Sequence, residues 1–215
     1  MNSWPSSSEL SELAFQQVFR TELSEPGWFL FESSEISSEG LRRLMVEIKT
    51  GLTERLNMRD QLKLNYAWLG RFNQQETTPF HRDNAGESSY LMLGYEPSDV
   101  SSELWIADYA RFCNEREISP ETFYSDYNPV YFDSGTDLRD YVERVPFRDS
   151  QTRKIVLFNN SNLPDFGVLH KAVVNKPNHK KSRVINSMML NTVELSEPDS
   201  ITIEQEAEFQ ITSQV

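Results

Sequence analysis

The chain has 215 residues, 38% of them apolar, and 21 Lys and Arg against 33 Asp and Glu leave a net charge of −12. That is enough apolar material for one ordinary domain over 1–215 and too little length for two full ones, while a strongly negative surface argues against nucleic acid or anionic lipid as a partner. A single cysteine, Cys113, excludes an internal disulfide and a Cys-rich zinc site. The opening MNSWPSSSEL has neither the positive start nor the apolar run of a leader, and no stretch reaches the ~18 apolar residues of a membrane span. The expectation is a cytoplasmic protein with no membrane partner.

In chain order, Leu10, Leu13, Phe15, Val18 and Phe19 predict a short helix over residues 8–19. A second, amphipathic helix opens at Ser37 or Ser38 and carries Leu41, Leu44, Met45, Ile48, Leu52 and Leu56 at steps of three, four and seven, with Asn57 at its end. Residues 8–57 thus read as helical support. The texture then changes. Leu62, Leu64, Tyr66 and Trp68 recur at every second position, and the runs 89–95 and 103–109 are short and rich in aromatic or branched residues, which predicts strands. Residues 113–150 read as an insertion or lid with a short helix over 136–144. Strands return over 154–159, 168–174 and 183–192, separated by the turn-rich NNSNLPD and NKPNHKKS, and 201–203 could add an edge strand. Helices followed by about seven short strands, without strand–helix alternation, predict a mainly β fold with N-terminal helices: an antiparallel sandwich or barrel. No GxGxxG, GxxxxGK[ST] or GxSxG is present, so the usual phosphate cradles and the hydrolase elbow are missing.

Any histidine chemistry must come from His81, His170 and His179. In the extended run Pro79-Phe80-His81-Arg82-Asp83-Asn84, residues 81 and 83 project to one side, so an imidazole and a carboxylate can reach one metal. His170 stands near the start of a later strand. Two histidines and one carboxylate on neighbouring strands make the facial triad used for non-haem Fe(II), which leaves one side of the octahedron open. Arg183, thirteen residues beyond His170, leads a strand with Ile185 and Ser187 on its own side, where a guanidinium can hold a carboxylate by a two-pronged hydrogen bond. His179 lies in the polar turn Asn178-His179-Lys180-Lys181 and reads as solvated.

From about Leu62 to Leu190 this ordered set resembles the Fe(II)/2-oxoglutarate-dependent dioxygenases, in particular the prolyl-hydroxylase-like and phytanoyl-hydroxylase-like branches. The resemblance implies a double-stranded β-helix, a jelly roll of the cupin kind, with Fe(II) held by His81, Asp83 and His170. It implies 2-oxoglutarate and dioxygen as co-substrates, the far carboxylate of 2-oxoglutarate pairing with Arg183. Lys180 is the alternative partner, being closer to the spacing common in the family, and Tyr66 and Ser187 are further candidate co-substrate contacts. Gly70-Arg71-Phe72 looks like the strand entry ahead of the metal loop. Lys171 stands where the family often has Gly after the distal histidine. The expected activity is hydroxylation of an unactivated C–H bond of a small metabolite, for example an amino acid. The alternatives are a protein side-chain hydroxylase and a jelly-roll sensor module that binds metal without turnover. Trp105, Tyr109, Phe123, Tyr124, Tyr127 and Tyr131 are candidates to line a pocket, most of them expected as core or lid packing, and Cys113 reads as a small buried hydrophobe.

Overall fold

The computed structural model describes residues 5–119, 122–123, 138–161 and 166–213. Helix α1 (Ser7–Val18) opens with a reciprocal cap, in which Ser6 Oγ accepts from Glu9 N and Glu9 Oε2 accepts from Ser6 N. Helix α2 (Ser38–Asp60) is capped by Ser37, whose hydroxyl accepts from Gly40 N. It runs past Asn57 for nearly another turn, because Gln61 takes the left-handed conformation (φ 60°) and its N–H returns to the Asn57 carbonyl.

The strands are β1 (Trp28–Ser33), β2 (Leu62–Asn73), β3 (Ser89–Tyr95), β4 (Ser102–Ala107), β5 (Val142–Arg144), β6 (Arg153–Asn159), β7 (Leu169–Val174) and β8 (Val184–Glu194). All pairs are antiparallel, in a five-stranded sheet of order β1-β6-β3-β8-β2 and a three-stranded sheet of order β5-β4-β7. Beside β7 runs the stretch 77–81, where Thr78 N donates to Ala172 O and His81 and His170 exchange both backbone bonds at 2.9 Å.

Two apolar layers fix how these parts stack. Helices α1 and α2 cover the outer face of the larger sheet through Leu41, Met45, Leu52, Tyr66, Met92 and Leu157. Its inner face meets the smaller sheet through Leu93, Val156, Phe158 and Ile185 against Leu104 and Ile106. Strand β3 is therefore buried along its whole length, with alternate residues feeding the two layers. No helix among the described residues is long and apolar enough to cross a membrane.

Several expectations change. Strand β1 was not foreseen: its apolar run WFLFE carries no helical period, but its pairing with β6 comes from residues more than a hundred positions away. Strand β4 stops at Ala107, because Asp108 caps a new helix, α3 (Tyr109–Glu115), by accepting from Arg111 N. The stretch read as an insertion is partly structural. Tyr109, Phe112, Cys113, Phe123 and Leu138 form a third apolar cluster, and β5 pairs with β4. The helix expected over 136–144 is, within the described residues, a 3-10 turn (Arg139–Tyr141) leading into β5, while Tyr124, Tyr127 and Tyr131 lie outside them. The edge strand expected at 201–203 is instead the start of helix α4 (Ile203–Ile211), opened by a reciprocal cap between Thr202 and Gln205. Cys113 is buried as expected.

Candidate metal centre

His81, Asp83 and His170 come together although 89 positions separate the outermost two. The backbone bridge between residues 81 and 170 brings the two rings to 4.1 Å between centroids. Asp83, two residues along the extended chain, falls on the same side. Its Oδ1 lies 3.4 Å from His81 Nε2 and its Oδ2 lies 4.0 Å from His170 Nε2, and one ligand atom from each residue lies within 4.8 Å of the others. The Pro79 carbonyl accepts from His81 Nδ1 at 2.9 Å, which fixes the tautomer and leaves the Nε2 lone pair facing the cluster.

Charge in the cluster is set by depth. His170 is 5% exposed and packs against Phe158, and burial, with His81 adding to it, drives its pKa down to about 3, so it stays neutral. Burial also pulls His81 down, but the bond to Asp83 and the Pro79 carbonyl overcome it and the net shift is upward. Burial pushes Asp83 up, but the His81 bond and the nearby positive groups hold it below the usual carboxylate range. The outcome is one ionised carboxylate facing two ring nitrogens.

Asn160, fully buried at the end of β6, was quoted in the sequence only as part of a turn. Its Oδ1 accepts from Asp83 N at 2.9 Å and its Nδ2 donates to Asp83 O at 3.0 Å, while Nδ2 also reaches Ser89 Oγ. One amide thus clamps both backbone groups of the carboxylate residue to β3 and β6. Buried Asn pairing with a loop backbone is the signal, and it is visible only once the strands are assembled.

The cluster opens onto a cavity of about 590 Å³. Phe72, Leu91, Leu93, Leu104 and Met189 form its apolar wall, and Gln74, Tyr95 and Ser187 supply polar groups. Trp68, 57% exposed, stands at its outer rim, the indole lying across Gly70, where a Cβ would come within 2.9 Å of it. Ser187 lines the same cavity as the cluster.

Tyr66 is not, and that expectation is corrected. A bulge between Tyr66 and Trp68 inserts Ala67 and shifts the alternation of β2, so Tyr66 faces the helices and donates to Glu206 Oε2 at 2.5 Å, while Trp68 faces the cavity. Arg183, 2% exposed, sits just before β8. Its Nε donates to Ser102 Oγ at 2.8 Å, its Nη1 to Gln74 O and Oε1 at 3.2 and 3.1 Å, and its guanidinium lies 5.3 Å from the centroid of the Tyr95 ring. Nη2 has no hydrogen-bond partner. The guanidinium stands behind Gln74 and Tyr95, which line the cavity, rather than on the cavity wall itself. Lys180, the alternative, is exposed in its turn, and His179 is exposed as well.

Sequence comparison adds no relative to this geometry. No protein-family model and no curated protein matches the chain.

Proposed function

We propose that the chain is an Fe(II)- and 2-oxoglutarate-dependent dioxygenase that hydroxylates an unactivated C–H bond of a small metabolite. The observation that carries this reading is the convergence of two imidazole nitrogens and one carboxylate oxygen on the wall of a cavity with a largely apolar lining. That donor set suits non-haem iron and leaves coordination positions free on the cavity side, where a site serving only structure would be closed by a fourth ligand. The strand orders support a jelly roll: with the 77–81 stretch beside β7, the smaller layer reads 77–81, β7, β4, β5 opposite β2, β8, β3, β6.

Iron bound at His81 Nε2, His170 Nε2 and an Asp83 oxygen would supply dioxygen activation coupled to oxidative decarboxylation of 2-oxoglutarate. The chain's own residues do the remaining work. Pro79 and Asn160 orient two of the three ligands. Leu91, Leu93, Leu104 and Met189 keep bulk water from the reacting face. Gln74 and Tyr95 line the cavity next to Arg183, where the far carboxylate of 2-oxoglutarate would lie. Arg183, a buried cation with no ion-pair partner among the described residues, places positive charge directly behind them. A volume of about 590 Å³ falls in the range of small-molecule sites, which favours a metabolite over a protein side chain.

The test is anaerobic titration of Fe(II)-loaded protein with 2-oxoglutarate, following the weak visible metal-to-ligand charge-transfer band. The band is expected in the wild type, absent in His81→Ala, and formed only at higher 2-oxoglutarate in Arg183→Ala and Gln74→Ala. A folded, iron-replete wild type without the band would overturn the assignment. A band without succinate release across a metabolite panel would favour the sensor module.

A further inference from the structure

A tryptophan on a strand normally buries its ring, yet Trp68 is 57% exposed at the rim of the metal cavity. The bulge at Ala67 is what turns it there, a device that re-aims a side chain. The other two described tryptophans have partners for their ring nitrogens, Trp28 donating to Glu143 Oε1 and Trp105 to Glu103 Oε2, whereas Trp68 Nε1 has none among the described residues. Its ring lies against Gly70, where a Cβ would meet Cζ2, Cε2 and Nε1 at 2.9, 3.2 and 3.3 Å. The β2 backbone thus supports the indole, and the rest of its surface stays open.

The register sets Trp68 at the level of the metal. It pairs with Met189, Met189 with Leu91, and Leu91 with Phe158, whose ring centroid lies 4.6 Å from that of His170. Phe72 and Tyr95, toward the co-substrate end, both pair with Ile185, four residues or ~13 Å further along the strands. No Lys, Arg or Glu lines this cavity among the described residues, and its one carboxylate, Asp83, belongs to the metal cluster. Arg82, between two of the ligands in the chain, turns to the Asn160 carbonyl at 3.3 Å. A charged group of a substrate would therefore be left in the cavity without a counter-charge, which is costly and disfavours a zwitterion such as a free amino acid. A flat ring instead gains from stacking on Trp68 and from contact with Leu91 and Met189.

We infer that the substrate is an uncharged small molecule carrying a flat aromatic ring, and that Trp68 selects it by stacking on that ring at the mouth of the cavity. Asn84 and Ser187, also on the wall, offer hydrogen bonds to its polar substituents. Calling this molecule a substrate rests on the dioxygenase reading; the stacking site itself does not. Arg183 plays no part in it.

Calorimetric titration of the metal-free protein with indole tests the site without iron. Saturable binding is expected, weakened ~10-fold in Trp68→Ala and less than ~3-fold in Trp68→Phe, which keeps a ring. Gly70→Ala, which keeps the tryptophan but displaces its indole, is expected to weaken binding as well. Cyclohexanol, which is not flat, and indole-3-acetate, which is flat but charged, are both expected to bind more weakly than indole. The proposal is overturned if indole does not saturate, if folded Trp68→Ala binds it like the wild type, or if indole-3-acetate matches indole with the same dependence on Trp68. The charge-transfer titration keeps the two readings apart. A band without Trp68-dependent indole binding sinks this inference alone, whereas Trp68-dependent binding without the band sinks the dioxygenase reading and leaves a cavity that takes aromatic rings.

Discussion

His170 shows how a buried ligand residue couples the site to stability. Its pKa is about 3 in the folded chain, against 6.5 for a free histidine, with His81 and Asp83 the charged or titratable groups facing it. Above pH 6.5 neither state binds its proton. Between pH 6.5 and 3 the unfolded chain takes up a proton that the folded one refuses, so the apoprotein loses stability as pH falls, by up to about 1.4 kcal/mol per pH unit. His81, shifted the other way, opposes part of this. His170→Gln is therefore expected to flatten the decline in Tm between pH 6.5 and 5 relative to the wild type; unchanged curves would mean that His170 is not held neutral. Asn160 acts on the same centre without touching a metal. Asn160→Ala is expected to weaken Fe(II) or Co(II) binding by roughly 10- to 100-fold, read by anaerobic calorimetry, because the Asp83 backbone loses both of its clamps. At this scale the placing of His81 beside Asp83 was legible, since i and i+2 on an extended chain share a side whatever the surroundings. Asn160 was not, because an Asn in a turn serves local bonds far more often than distant ones.

At the scale of elements, helix packing against helix decides more than helix propensity. Gly51, in α2, leaves the space that Ser11 of α1 occupies, and an added Cβ would come within 2.8 Å of Ser11 Cβ and closer still to its hydroxyl. Gly51→Ala adds about 1 kcal/mol of helix propensity but overpacks a site where such strain costs roughly 1–3 kcal/mol. Net destabilisation is expected in thermal or urea unfolding, and Ser11→Gly in the same chain should recover it. A more stable single variant would mean that α1 shifts freely on α2. Elements with a strong period, α2 and β3, were readable within a few residues. The alternation of β2 was readable too, but not its bulge, and that one extra residue sends Tyr66 to the helices and Trp68 to the cavity. The end of the chain misled for a different reason. Ile201 and Ile203 alternate over too few positions to specify a strand, while Thr202 and Gln205 carry a capping signal that was there to be read.

Across the whole molecule, long-range ties hold the layers in register. Arg20, following α1, donates through Nη1 and Nη2 to the two carboxylate oxygens of Asp108 at 2.7 and 2.8 Å, joining the N-terminal helix to the junction of β4 and α3. Asn65 in β2 is tied to the Pro198 carbonyl and the Ser200 backbone, and Arg71 to the Thr212 carbonyl, so the C-terminal segment closes over the same sheet. None of these partners could be paired from sequence, since charge and amide groups recur throughout the chain and only the assembled strands bring particular ones within reach. The sequence by itself determined the class of structure, helices before a strand-rich body, and that His81 and Asp83 share a side of an extended run, because periodicity and i, i+2 geometry are local properties of the backbone. Tertiary structure alone decided which strands pair, that Arg183 stands behind the cavity, that Tyr66 turns away, and that Asn160 clamps the Asp83 backbone. Each of those depends on groups distant in the chain being buried together, where an unmatched hydrogen bond or charge carries a cost that local sequence does not register.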